Sequence, residues 1–109
     1  MNYNVEYHNN FKKELKPLAK KYPSINEDLQ YLLDNIEKEL LLADDLGSGF
    51  RKIRFNIKSK GKGKQGGARV ISYEIIISTE QTNVVLASIY DKSDFDSINI
   101  DKLRNALGV

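Results

Sequence analysis

The apolar periodicity of this chain changes at one place and divides it into two unlike parts. Before Leu40 most apolar residues recur at helical spacing, and from Phe50 onward they alternate. Asp44-Asp45 and Gly47-Ser48-Gly49 lie between, a run of turn residues. One stripe holds Phe11, Leu15, Leu18, Ala19 and Tyr22, and a second holds Ile25, Leu29, Leu32, Leu33, Ile36 and Leu40. Helices of this kind must cover something flat, and the alternating part supplies a sheet.

The details refine this outline. Tyr3, Val5 and Tyr7 alternate with Asn4 and Glu6, which predicts a short opening strand. Asn9 or Asn10 is placed to cap the first helix, and Pro17 inside it predicts a kink. Tyr22-Pro23 ends that helix, and Ser24 with Glu27 reads as a capping box for the second. Two helices so closely joined should form an antiparallel hairpin.

In the alternating part, Ile53, Phe55 and Ile57 face one way, and Lys52, Arg54 and Lys58 the other. A flexible glycine- and lysine-rich loop, 59–67, leads into a strand over 68–77. That strand is apolar on both faces towards its end, as a central strand is. A turn at Glu80–Asn83 precedes a strand over 84–90, and Ile100, Leu103 and Leu107 predict a terminal helix closed by Gly108. The expected fold is α+β, with order β-α-α-β-β-β-α. An antiparallel sheet carries an N-terminal helical hairpin on one face and leaves a cationic face opposite.

With 109 residues, one domain over 1–109 is expected. The chain has no cysteine, which removes disulfides and thiolate chemistry and fits a reducing cytoplasm. The opening residues lack the apolar run of a signal peptide, and no stretch approaches the length of a membrane span. A small cytoplasmic protein with no membrane partner is expected.

Charge is unevenly placed. No acidic residue lies between Asp45 and Glu74, and that interval holds Arg51, Lys52, Arg54, Lys58, Lys60, Lys62, Lys64 and Arg69. The formal net charge of +2 therefore conceals a concentrated cationic surface, which attracts polyanions such as nucleic acid. A solvated basic loop is the plain alternative.

Other chemistries fit less well. Gly61, Gly63 and Gly66 spell G-x-G-x-x-G, but strand-like residues follow where a dinucleotide site needs a helix, so no cofactor is expected. His8 is the only histidine; it stands at a strand end and reads as structural. No His, Cys and carboxylate cluster suits a transition metal. Asp91, Asp94 and Asp96 lack calcium-loop spacing and read as solvating a turn. There remain Lys52, Arg54, Arg69 and Lys92, four cations expected at one sheet edge.

Phe50-Arg51-Lys52-Ile53-Arg54, Gly61-Lys62-Gly63-Lys64-Gln65-Gly66-Gly67-Ala68-Arg69-Val70-Ile71 and Tyr90-Asp91-Lys92-Ser93-Asp94 resemble the RelE/ParE toxin superfamily. The likeness is greatest to its HigB-like branch of mRNA interferases, and it spans nearly the whole chain. The resemblance implies a RelE-like fold and the toxin of a bacterial type II toxin–antitoxin system. Such a toxin is a metal-independent endoribonuclease that cleaves mRNA in the ribosomal A site and inhibits translation. A cognate antitoxin would restrain it.

By position, the resemblance makes Lys52, Arg54, Arg69 and Lys92 the catalytic set. Arg51, Lys58, Lys60, Lys62 and Lys64 are the expected RNA contacts. Arg69 would hold the phosphate while the 2′-OH attacks it, Arg54 would add charge, and Lys52 beside other cations would serve as base. The products would be a 2′,3′-cyclic phosphate and a 5′-OH. Some relatives carry a tyrosine where Ile98 stands, so Tyr90 and Tyr73 are candidates for its place. The alternative from the same superfamily is a ParE-type, non-nucleolytic inhibitor of DNA gyrase. An RNA-binding module without catalysis is a third reading.

Overall fold

The structure is a computed structural model that describes residues 2–61, 63–94 and 98–109, with residues 64 and 65 described in their backbone alone. Lys62, the side chain of Lys64, and Asp96 lie outside the described residues. The strands are β1 (Asn2–Tyr7), β2 (Asp44–Gly47), β3 (Phe50–Phe55), β4 (Ala68–Ile76) and β5 (Gln81–Asp91). The helices are α1 (Asn9–Lys21), α2 (Ile25–Asp34), α3 (Ile36–Leu42), a single turn α4 (Gly63–Gly66) and α5 (Ile100–Leu107). Among the described residues no helix is long and apolar enough to cross a membrane.

The α+β architecture and the antiparallel β3-β4-β5 meander are as the alternation predicts. The sheet as a whole is not antiparallel. Its order is β1-β5-β4-β3-β2, and β1 runs parallel to β5, with Val5 beside Val84. The sheet is therefore mixed. Alternation shows that β1 is a strand, but the direction of a partner almost eighty residues away is not a local property. The antiparallel edge strand β2 was not foreseen either. Asp44 and Asp45 pair with Lys52 and Arg51, and the hairpin closes through three left-handed residues, Gly47, Ser48 and Gly49.

The helical layer has three helices instead of two. Asn35 interrupts the long second stripe, and the chain restarts at Ile36. Helix α1 runs unbroken through Pro17. Its cap is His8, whose Nδ1 accepts the Asn10 amide at 3.1 Å. Asn10 instead donates from Nδ2 to the Ala87 carbonyl and to Glu14. His8 thus has the structural place expected, one position before the asparagines expected to cap. The capping box at Ser24 does not form. The Ser24 hydroxyl donates to Asp28 and accepts from the hydroxyl and the amide of Ser59, so it ties the start of α2 to the loop.

Two apolar clusters lie on opposite sides of the sheet. The larger joins Phe11, Leu18, Ile25, Leu29, Leu32 and Leu40 from the helices to Ile53, Phe55, Ile57, Val70, Val84 and Leu86. The smaller joins Phe50, Ile71, Ala87 and Tyr90 to Leu103 of α5, with Ile100 and Leu107 packed against it. The second cluster corrects the expected bare cationic face. Phe50, Ile71 and Lys52 share one parity, so an apolar patch adjoins the cations, and α5 covers it. An extra residue in β5, Ala87, bulges between the Ile71–Ser88 and Ser72–Leu86 pairs and fills that cluster.

Strand β4 is central in the sheet, but its burial runs opposite to expectation. Ala68 to Ser72 are buried, whereas Ile75, Ile76 and Ile77 are exposed. The β4–β5 hairpin extends beyond β3, whose pairing with β4 ends at Phe50–Tyr73.

Candidate nucleic-acid interface

The antiparallel register of β3 and β4 brings two cations face to face. Arg54 pairs directly with Arg69, and Arg69 pairs on its other side with Tyr90 of β5. Directly opposed residues have Cβ atoms about 5 Å apart, so two like charges here repel and weaken the sheet locally. Lys52 lies two residues from Arg54 on the same face, about 7 Å along the strand. Lys92 follows the end of β5, and its amide donates to the Gly67 carbonyl at 3.2 Å. The four expected residues thus gather at the end of the sheet where β3, β4 and β5 meet.

Their environments differ. Arg54 is exposed and Lys52 half-buried, whereas Arg69 is only 6% exposed. Burial lowers the readiness of the Arg69 guanidinium to hold its charge, and Arg54 opposite it acts in the same direction. Tyr90 and Asp44 act against both. The Arg69 side chain also donates to the Ala68 carbonyl at 3.0 Å, which fixes it against the sheet. Lys52 has Asp44 directly opposite in β2. The purely cationic surroundings expected for a lysine base are therefore not those found.

Tyr90 and Tyr73 separate here. Tyr73 packs its ring 4.8 Å from that of Phe50, four residues along β4 from Arg69. Tyr90 lies beside Arg69, and burial pushes its phenol up, with Arg69 acting the other way. Its neutral phenol thus stands next to the arginine pair with its oxygen buried.

Asp91 was read as solvating a turn, yet it is 1% exposed. Its carboxylate accepts from the Tyr22 hydroxyl at 2.6 Å, from Lys60 Nζ at 2.5 Å and from the Ser93 amide at 2.9 Å. Burial alone raises the Asp91 carboxyl. The bonds from Lys60, Tyr22 and Ser93 more than reverse this and hold it well below the usual carboxylate range. Lys60 also reaches Ser93 Oγ at 2.8 Å and the Gly67 carbonyl. One buried group thus joins α1, the lysine loop and the end of β5, beside Tyr90 and Lys92. The expected flexible loop is also partly ordered, with a 3₁₀ turn at Lys58–Lys60 and α4 after it.

The expected RNA contacts do not join the arginine pair as a group. Arg51 has the parity of Ile53, lies on the helical side, and bonds to Glu74 at 2.6 Å and to the Leu40 carbonyl. Lys60 is occupied by Asp91. Lys58 follows the end of β3, where strand parity no longer applies. Its amide donates to Asp28 of α2, so it sits with the helices. Lys62 and the Lys64 side chain lie outside the described residues. Among the described residues no group of three His, Cys, Asp or Glu side chains could hold a metal ion. No family model matches the chain.

Proposed function

We propose that this chain is the toxin of a bacterial type II toxin–antitoxin system, a cytoplasmic endoribonuclease that cleaves mRNA in the ribosomal A site. The observation that supports this most is the directly opposed Arg54–Arg69 pair, with Tyr90 beside it and Lys52 and Lys92 at its margins. A sheet that keeps two arginines opposed is stabilised by an anion between them, and a phosphodiester suits the fork geometry of guanidinium groups.

In this reading the 2′-OH of one nucleotide loses its proton to solvent water as it attacks the adjacent phosphorus, and the bond to the 5′-oxygen of the next breaks. The phosphoryl oxygens gain charge, which Arg69 meets with a desolvated guanidinium fixed against the sheet and Arg54 with an exposed one. The Tyr90 phenol, whose buried oxygen RNA must uncover, supplies the proton to the leaving 5′-oxygen. Lys52 and Lys92 add positive potential around the flanking phosphates. The products are a 2′,3′-cyclic phosphate and a 5′-OH. The partner that restrains the chain is an antitoxin protein.

The test is induction in bacteria with mapping of mRNA 5′ ends, with Arg69→Ala as control. New 5′-OH ends within translated codons, lost in the variant, support the reading. Growth arrest with intact mRNA and accumulated DNA breaks would instead assign the fold to gyrase inhibition.

A further inference from the structure

We infer that the cleft between α2, α3 and the free edge of β3 is a nucleobase subsite for a base bearing an exocyclic amine. The inference rests on the proposed function, since it seats the base of a nucleotide whose phosphate meets Arg54. Strand β2 pairs with β3 only as far as Asp44–Lys52, so the edge beyond is uncovered. A cavity of about 270 Å³ opens there, and Arg54, Tyr31, Asp28 and Asn56 are among its walls. A second, of about 210 Å³, adjoins it and shares Arg54 and Glu39. The larger lies just below the usual range for small-molecule sites, the size for one ring system.

Three features of the wall fit a base. Tyr31, half exposed on α2, offers a ring face at the mouth, and Phe55 lies beneath. Asn56 makes no side-chain hydrogen bond among the described residues and is half-buried at the rim. Asp28 is only 4% exposed, and both of its donors, the Ser24 hydroxyl and the Lys58 amide, go to Oδ2. Its Oδ1 receives no donor among the described residues. A carboxylate oxygen without a donor in the wall of a small cleft accepts from an N–H group, and an exocyclic amine such as cytosine N4 supplies one. Uracil presents carbonyl oxygens in the equivalent place. Arg54 projects from the face away from the helices but lines this cleft where it opens at the edge of β3, so a base in the cleft and a phosphate at the arginine pair meet around that one edge.

Cytidine and uridine 5′-monophosphates are titrated into isotopically labelled wild-type protein and followed by NMR. The expected result is shifts at Tyr31, Leu32 and Asn56, with the cytidine nucleotide bound roughly fivefold tighter or more. Asp28→Asn keeps an acceptor for Ser24 and Lys58 but turns an amide N–H₂ towards the cleft, so the order should reverse. Tyr31→Ala should weaken both nucleotides about fivefold or more, and Tyr31→Phe should not. Shifts that avoid the cleft, or an unchanged order in a folded Asp28→Asn, overturn the inference. If Asp28→Asn does not fold, wild-type affinity in Tyr31→Ala overturns it. A wild-type chain that cuts RNA yet fails this titration removes the subsite and leaves the nuclease. A chain that passes but cuts nothing removes the nuclease and leaves a nucleotide cleft.

Discussion

Replacing Lys60 by Met leaves Asp91 buried with a charge, two remaining hydrogen-bond donors, Tyr22 and the Ser93 amide, and the exposed Lys21 ammonium 4.0 Å away. Breaking a buried ion pair from one side costs about 3–5 kcal/mol. The two retained donors place this case near the lower end, about 3 kcal/mol. In a chain of 109 residues that corresponds to a fall in Tm of about 12 °C. The sign with pH follows from the depressed Asp91 carboxyl. Its stabilisation is full above the ordinary aspartate pKa of about 4 and is lost as pH falls through the lower folded value. The gap between wild type and Lys60→Met should therefore be widest near pH 7 and narrow from about pH 5 towards pH 2. Urea unfolding followed by circular dichroism at several pH values measures it. A gap below about 0.5 kcal/mol at pH 7, the scatter of ordinary surface substitutions, would refute the clamp, as would one flat with pH.

Other substitutions probe other parts of the molecule. A Cβ added at Gly67 would lie 2.2 Å from the Phe55 carbonyl oxygen, so Gly67→Ala should cost at least about 2 kcal/mol in urea unfolding. Leu103→Ala empties the centre of the contact between α5 and the sheet and should cost about 2–4 kcal/mol by the same measurement. Tyr90→Phe should slow single-turnover cleavage about 10²-fold or more with little change in RNA affinity. Arg51→Ala, on the opposite side and half exposed, should leave cleavage unchanged and lower stability by no more than about 1 kcal/mol.

Much of the fold was legible because its signals are local. The first apolar stripe, the alternation around Ile53 and the Gly108 stop each fix one element without reference to the rest, and the second stripe marks helix without showing its break at Asn35. Parity also carried more than was drawn from it. The alternation that set Lys52 and Arg54 on one face already set Arg51 on the other, and it put Phe50 in phase with Lys52. What could not be read locally concerns partners far along the chain. Nothing near Tyr3–Tyr7 specifies a parallel neighbour at Thr82–Leu86, and β2 has too few apolar residues to show a period. Asp91 sits in a polar run that resembles a solvated turn. Its burial depends on Tyr22 and Lys60, 69 and 31 residues away. Within the candidate site, the opposition of Arg54 and Arg69 followed from a hairpin register. The carboxylate beside Lys52 required a strand that the sequence did not announce.

The central claim is that Arg54 and Arg69 act on one phosphate. A double-mutant cycle on single-turnover cleavage of ribosome-bound mRNA tests it most directly, comparing Arg54→Ala, Arg69→Ala and the double variant. Residues that share one phosphate should be coupled, with an interaction of about 0.5–3 kcal/mol and a double variant less impaired than the product of the single losses. Losses that simply multiply, or full activity in either single variant, would contradict it.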